Sequence, residues 1–190
     1  MNITEPIRDK RQVAQLISYY DKLGESRNYV LVTLCVHTAL RIGDILKLNC
    51  NDVYDFEHKC VRKSITITEK KTNKTKIIAL NKEAIRALNV YFPNAKQNMP
   101  LILNQRTRKA ISRIQAYRLI RAAADNVKIL QKVSCHSLRK TFGYHAWKTG
   151  TSPAVIMEIY NHSSLAVTRR YLGVTQDDKN AVYVGLNFTL

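Results

Sequence analysis

Three short segments hold side chains whose types and spacing suit the handling of a phosphate. In Ala39-Leu40-Arg41-Ile42-Gly43-Asp44 an arginine ends a long apolar run, where a charge is costly unless it is paired or faces an anion. Asp44, three residues on, offers the plainer alternative of an ion pair closing a helix end. In His136-Ser137-Leu138-Arg139-Lys140-Thr141 the histidine and arginine are three apart and share a helical face. A planar fork of donors and an imidazole that titrates near neutrality can there meet one substrate, although a surface arginine beside a first-turn histidine fits as well. In the third segment Asn161-His162-Ser163-Ser164 precedes Thr168-Arg169-Arg170-Tyr171-Leu172. A phenol is a poor nucleophile at neutral pH, so Tyr171 would attack only where cations stabilise the developing phenolate. As one of ten tyrosines it is, taken alone, more simply a packing residue.

Charge narrows the kind of anion. The 190 residues carry 31 Lys+Arg against 14 Asp+Glu, a formal net charge of +17, yet 45% are hydrophobic, so the chain can fold while its cations repel one another. Phosphates of a nucleic acid would relieve that repulsion. A membrane role is disfavoured, because the apolar stretches around 30–36 and 154–159 fall far short of the roughly 20 residues a spanning helix needs. Residues 1–10 include Glu5, Arg8 and Asp9 and no apolar segment, so no secretory signal is visible and the default location is cytoplasmic. The four cysteines, Cys35, Cys50, Cys60 and Cys135, form no C-x-x-C pair and read as reduced core thiols. A zinc or disulfide framework is not expected.

The elements that must position these residues follow from periodicity. Apolar residues recur at helical spacing over 9–23, and 27–39 is almost wholly apolar, a helix to be buried, with a shorter turn at 42–48. The period then changes to β-branched alternation at 61–68 and 76–80, around a polar basic turn at 69–75, with a further short strand near 52–54. Helical patterns return at 82–91, 112–126 and 136–148. Ser152-Pro153 starts another over 154–160, Ser163 or Ser164 caps the next up to Tyr171, and 177–186 forms a last one. The expected fold is a single mostly α domain over 1–190 with a small antiparallel sheet (α+β).

In order and combination, Arg41, a lysine in the strand turn, His136-x-x-Arg139, His162 and Tyr171 resemble the catalytic set of the tyrosine recombinases, the phage-integrase family. The matching segments are ALRIGDILKL, HSLRKTFGYHAWKTG and IYNHSSLAVTRRYLG, and the resemblance runs from about Val30 to Leu172. It implies the catalytic-domain fold of that family and a site-specific recombinase of integrase or invertase type. Tyr171 would attack a scissile DNA phosphate to give a 3′-phosphotyrosyl link and a free 5′-hydroxyl. Arg41 and Arg139 would grip the non-bridging oxygens. His136 would exchange a proton with Tyr171, and His162 would hydrogen-bond the phosphate. Lys71, aligned through Lys71-Thr72-Asn73-Lys74 and Ile78-Ala79-Leu80, would protonate the leaving oxygen. Asp44 would orient Arg41 or His136.

The same resemblance implies double-stranded DNA as partner, four protomers on two duplexes with a monomer or weak oligomer off DNA, accessory DNA-bending proteins and a prokaryotic nucleoid location. It implies no metal, nucleotide or redox cofactor, in line with the absence of a G-x-x-x-x-G-K-[ST] motif. Residues 177–190 would dock on a neighbouring protomer, the alternative being packing on their own chain. Most relatives add an N-terminal clamp domain; about forty residues precede Arg41 here, so none is expected in this chain. Three positions depart from the family pattern: Asn161 replaces a glycine and needs a turn geometry open to asparagine, Ala79 replaces a proline, and Lys140 a histidine. Two alternatives use the same fold, a type IB topoisomerase activity and a catalytically silent DNA-binding regulator.

Overall fold

The fold is given by a computed structural model, which describes residues 4–68, 75–186 and 188. Asp9 caps α1 (Lys10–Lys22) by accepting from the Arg11 amide at 2.7 Å, and a left-handed Gly24 turns the chain into α2 (Ser26–His37). From Asn28 to Val36 every residue of α2 is buried, making it the axis of the main core. Leu16 of α1, Leu88 of α5 (Lys82–Tyr91), Ile120 of α6 (Arg113–Asn126) and Leu138 of α7 (Cys135–Lys148) are among the fully buried side chains of that core. α5 keeps the bounds its periodicity predicts, and Asn81 caps it by accepting from the Ala84 amide.

The β region departs from expectation. The short strand expected near 52–54 is mostly a helical turn, α4 (Cys50–Val53), started by a capping box in which Asn49 and Asp52 satisfy each other's amides. Only Tyr54 and Asp55 are extended, as β1, and they pair with Cys60–Val61, β2, in a two-stranded ribbon. The run expected over 61–68 therefore divides at Arg62 and Lys63. Its remainder, β3 (Ser64–Thr68), pairs antiparallel with β4 (Thr75–Ala79), Ile65 opposite Ile78. Two small ribbons replace the one sheet.

A second, smaller core lies under the C-terminal helices, where Ala39, Ile156, Tyr160 and Leu172 are buried together. It joins α8 (Pro153–Tyr160) to α9 (Leu165–Leu172). α10 (Gln176–Gly185) begins at a Thr175/Asp178 capping box and has no buried residue. Cys35 and Cys50 are buried, whereas Cys135 is half-buried and Cys60 exposed, so Cys60 is not the core thiol expected of it; all four thiols are free. Among the described residues no helix is long and apolar enough to cross a membrane.

Candidate active site

The site is built outward from α7. Ser134 and Ser137 form a capping box that starts this helix, which leaves His136 exposed in its first turn and sends Arg139 inward, only 5% exposed. The charge is accommodated by one tyrosine. A guanidinium Nη2 donates to the Tyr160 carbonyl at 3.1 Å, the guanidinium lies 4.5 Å from the centre of the Tyr160 ring, and the Tyr160 hydroxyl donates back to the Arg139 carbonyl at 2.5 Å. Burial pushes the Tyr160 phenol above its ordinary value. Close approach of these helices depends on Gly143, where a Cβ would collide with the Tyr160 hydroxyl. The Nε of Arg139 is buried and has no hydrogen-bond partner among the described residues.

Tyr171 comes from the last turn of α9. Its hydroxyl stands 3.1 Å from His136 Nδ1 with the two rings edge to face, and the His162 ring meets it from another side at 4.6 Å. His162 follows Asn161, which closes α8 in the left-handed region at φ 53°, a conformation asparagine tolerates better than most residues. The His162 ring is fixed by a 3.0 Å hydrogen bond between its Nδ1 and the hydroxyl of buried Thr168.

Arg41 completes the cluster. Ala39 adopts φ 56° and turns the chain out of the apolar run, so Arg41 begins α3 (Ile42–Ile45) from an extended conformation. Its exposed side chain lines an open cleft with Arg113, Tyr117, Cys135, His136 and Arg139. The effect of these cations is visible on both histidines. Burial, then Lys140, Arg139 and Arg41, hold His136 below its ordinary pKa. Burial, then Arg139, Arg41 and His136, push His162 down to about 4. Both imidazoles are therefore neutral at pH 7, and each can offer a lone pair or a single N–H.

Five of the residues singled out by sequence, Arg41, His136, Arg139, His162 and Tyr171, thus meet in one place. Lys71 lies outside the described residues. The β3–β4 ribbon is docked beside the site through Lys76 of β4, whose ammonium donates to the Ile159 carbonyl at the end of α8. The Asp44 amide donates to the Arg41 carbonyl at 2.8 Å, but among the described residues its carboxylate makes no hydrogen bond or ion pair with Arg41 or His136; it lines a separate pocket with Lys47, Asp52 and Thr66, so neither the ion pair nor a carboxylate contact that orients those side chains is present. Lys140 is buried, donates to the Thr4 carbonyl at 2.6 Å and lies 5.6 Å from the centre of the Tyr171 ring.

Two members of the cleft, Arg113 and Tyr117, were not singled out. The capping box of Ser112 and Gln115 makes their helix legible, but nothing in their spacing ties them to Arg41, some seventy residues earlier in the chain. Among the described residues no cluster of three or more His, Cys, Asp and Glu side chains is placed to hold a metal ion.

The sequence pattern described as the phage integrase family matches residues 8–177. The chain is 37% identical over 183 residues to a probable integrase/recombinase YoeC of Bacillus subtilis (strain 168), covering 96% of this chain and 97% of that one. It is 31% identical over 195 residues to a tyrosine recombinase XerC of Pelobacter propionicus, covering 95% of this chain and 62% of the relative. For a tyrosine recombinase XerD of Mycobacterium leprae the figures are 26% over 170 residues, with 84% of this chain and 52% of the relative covered. The chain thus spans little more than half the length of these XerC and XerD proteins. In fold it is similar to XerA recombinase, with a TM-score of 0.77 at 22% identity over 96% of this chain and 65% of that one. It is also similar to the catalytic domain of bacteriophage HP1 integrase, with a TM-score of 0.61 at 22% identity over 96% and 95%. With the family pattern matched over most of its length and a relative of this identity covered almost end to end, the chain belongs to the phage integrase family of tyrosine recombinases.

Proposed function

We propose that this chain breaks and rejoins double-stranded DNA as a tyrosine-type site-specific recombinase. The observation that carries the reading is the Tyr171 hydroxyl held 3.1 Å from a neutral His136 nitrogen beside two arginines. His136 Nδ1 takes the phenol proton as the phenolic oxygen attacks phosphorus. The new P–O bond to Tyr171 replaces the P–O5′ bond, and the 5′-oxygen leaves as a hydroxyl after receiving a proton, a role assigned to Lys71. Arg41 and Arg139 hold the non-bridging oxygens, where charge grows in the transition state. His162, its ring held in place by the Thr168 hydroxyl, would hydrogen-bond the same phosphate. Asp44 is left a supporting part only. One phosphodiester is exchanged for another, so the bond energy is kept for rejoining and the chain's own residues suffice for proton transfer.

Solved structures of the same fold include XerH bound to a difH substrate and Tn1549 integrase with a circular intermediate DNA, which supports duplex DNA as partner and the nucleoid as its place of action. The exposed apolar residues Val182, Tyr183, Val184, Leu186 and Phe188 at and beyond the end of α10 favour docking on a second protomer over packing at home, as an assembly of four on two duplexes requires. DNA-bending proteins would assist that assembly.

The test is covalent capture. The chain is incubated with a randomised pool of nicked duplexes, adducts are sequenced, and two marked copies of the recovered site are placed on one plasmid. Exchange between the sites supports recombination, whereas relaxation without exchange supports a topoisomerase. Binding without any adduct supports the silent regulator. Affinity should also fall with salt by about 0.9 in the log-log slope per phosphate neutralised, and a flat response contradicts backbone binding.

A further inference from the structure

The segment ahead of α1 takes no part in the chemistry above, yet it is tied to the helix that carries the nucleophile. Pro6 and Ile7 are buried. The Ile7 amide donates to Thr141 Oγ1 at 2.9 Å, and its carbonyl accepts from His145 Nε2 at 3.0 Å. The Thr4 carbonyl accepts from Lys140, which also faces the Tyr171 ring. Residues 4–8 are in this way strapped along α7, and Arg8 leaves the end of the strap.

The Arg8 guanidinium lies 5.2 Å from the centre of the Tyr144 ring. Its Nη2 donates to the Glu5 carboxylate at 3.2 Å and to the Gly173 carbonyl at 3.1 Å. Gly173 is the left-handed cap of α9, φ 62°, two residues past Tyr171. It sits against the strap so closely that a Cβ would stand 3.3 to 3.4 Å from Arg8, Glu5 and Pro6. α9 is also held by hydrogen bonds between Thr168 and His162 and between the Tyr171 hydroxyl and His136. The second of these must break when the hydroxyl attacks. A cation on a helix C-terminus is also electrostatically favourable.

We propose that residues 4–8 form a strap that positions the nucleophile: Arg8, by holding the Gly173 carbonyl, fixes the end of α9 while the Tyr171 hydroxyl passes from His136 to phosphorus. The inference rests on the recombinase reading for its chemical consequence. Arg8 touches no substrate and is a positioning residue.

Two measurements on the full chain test this. Amide exchange without DNA compares wild type, Arg8→Ala and Arg8→Lys, and single-turnover adduct formation uses the duplex recovered by covalent capture. Arg8→Ala should speed exchange about tenfold over residues 165–174 while residues 30–36 stay protected. The adduct should form at least about tenfold more slowly, since a misplacement of about 1 Å from a distant change can cost roughly a hundredfold. Affinity for the duplex should stay within about twofold, and Arg8→Lys should recover part of both losses. If Arg8→Ala exposes residues 30–36 as well, Glu5→Gln, which frees Arg8 without removing it, should give the local pattern at smaller amplitude.

Unchanged exchange in α9 overturns the proposal, as does faster exchange with an unchanged adduct rate. A slower adduct matched by an equal loss of affinity also overturns it, since Arg8 would then be a DNA contact. If wild type forms no adduct with any duplex, the recombinase reading fails, and exchange in α9 alone decides whether the strap holds that helix.

Discussion

α2 and α9 serve the same cleft and are held in opposite ways. α2 is buried from Asn28 to Val36 at the centre of the main core, and the turn after it delivers Arg41. α9 has eight residues, of which Thr168 and Leu172 are buried, and it rests on the small second core. A helix of that length has little stability of its own, so its placement depends on α7, α8 and the hydrogen bonds at its ends. The residues assigned to grip the phosphate thus stand on the rigid side, and the nucleophile stands on the side with the lower expected opening energy. Such a division suits a reaction in which the phosphate charges must stay fixed while a tyrosine advances, bonds and later leaves.

Replacing the two arginines separates grip from scaffold with the largest expected effect. Loss of a preorganised donor to a developing oxyanion costs about a hundred- to a thousandfold in rate, so Arg41→Ala and Arg139→Ala should both slow adduct formation to that degree. Their thermal unfolding should differ. Arg41 is exposed, and among the described residues its guanidinium makes no hydrogen bond or ion pair, so its replacement by alanine should leave Tm unchanged. Removing buried Arg139 unpairs the Tyr160 carbonyl and should lower Tm measurably. Equal Tm losses would erase the distinction between the two residues.

Gly143→Ala probes the joint between the two cores. The added methyl meets the Tyr160 hydroxyl, and overpacking of this kind costs about 1–3 kcal/mol. Denaturant unfolding should show that loss, with the C-terminal helices losing amide protection before α2. A neutral substitution would mean that α8 shifts freely, contrary to a tight Arg139–Tyr160 pair.

A smaller effect is expected from acid. His162 is neutral in the fold down to about pH 4, whereas the unfolded chain takes up that proton near 6.5. Folding stability is therefore intact above about 6.5 and falls as pH drops from there through about 4. Asp178, where hydrogen bonds from Lys148 and Thr175 outweigh the opposing effect of burial, has a pKa near 2. Its contribution is present above its ordinary 3.8 and is lost only below that, as pH falls through 2. Unfolding followed between pH 7 and 2 should show the His162 window first, and His162→Gln should remove it. A pH-independent stability down to 4 would contradict the half-buried, neutral imidazole.

Much of this was legible because local chemistry set it. The helical patterns over 82–91 and 112–126, the caps at Ser152 and Ser164 and the apolar run of α2 predict the elements found, and the order of arginine, histidine and tyrosine along the chain leads to the five residues that meet. What escaped depends on contacts distant in sequence or on a local contest. The β-branched look of Val53 concealed the Asn49/Asp52 box. Arg139 reads as a surface charge until Tyr160 is seen beneath it. The strap at 4–8 has no periodicity, since its four partners on α7 and α9 are more than 130 residues away.

The central claim is that Tyr171 bonds to DNA, and the mass of the linked peptide tests it most directly. After capture on a nicked duplex, trypsin cutting after Arg170 and Lys179 should release residues 171–179 carrying the 3′-phosphoryl nucleotide, and Tyr171→Phe should abolish the adduct while leaving DNA affinity intact. A nucleotide found on Tyr160, Tyr117 or any other residue, or capture that survives Tyr171→Phe, would contradict the account.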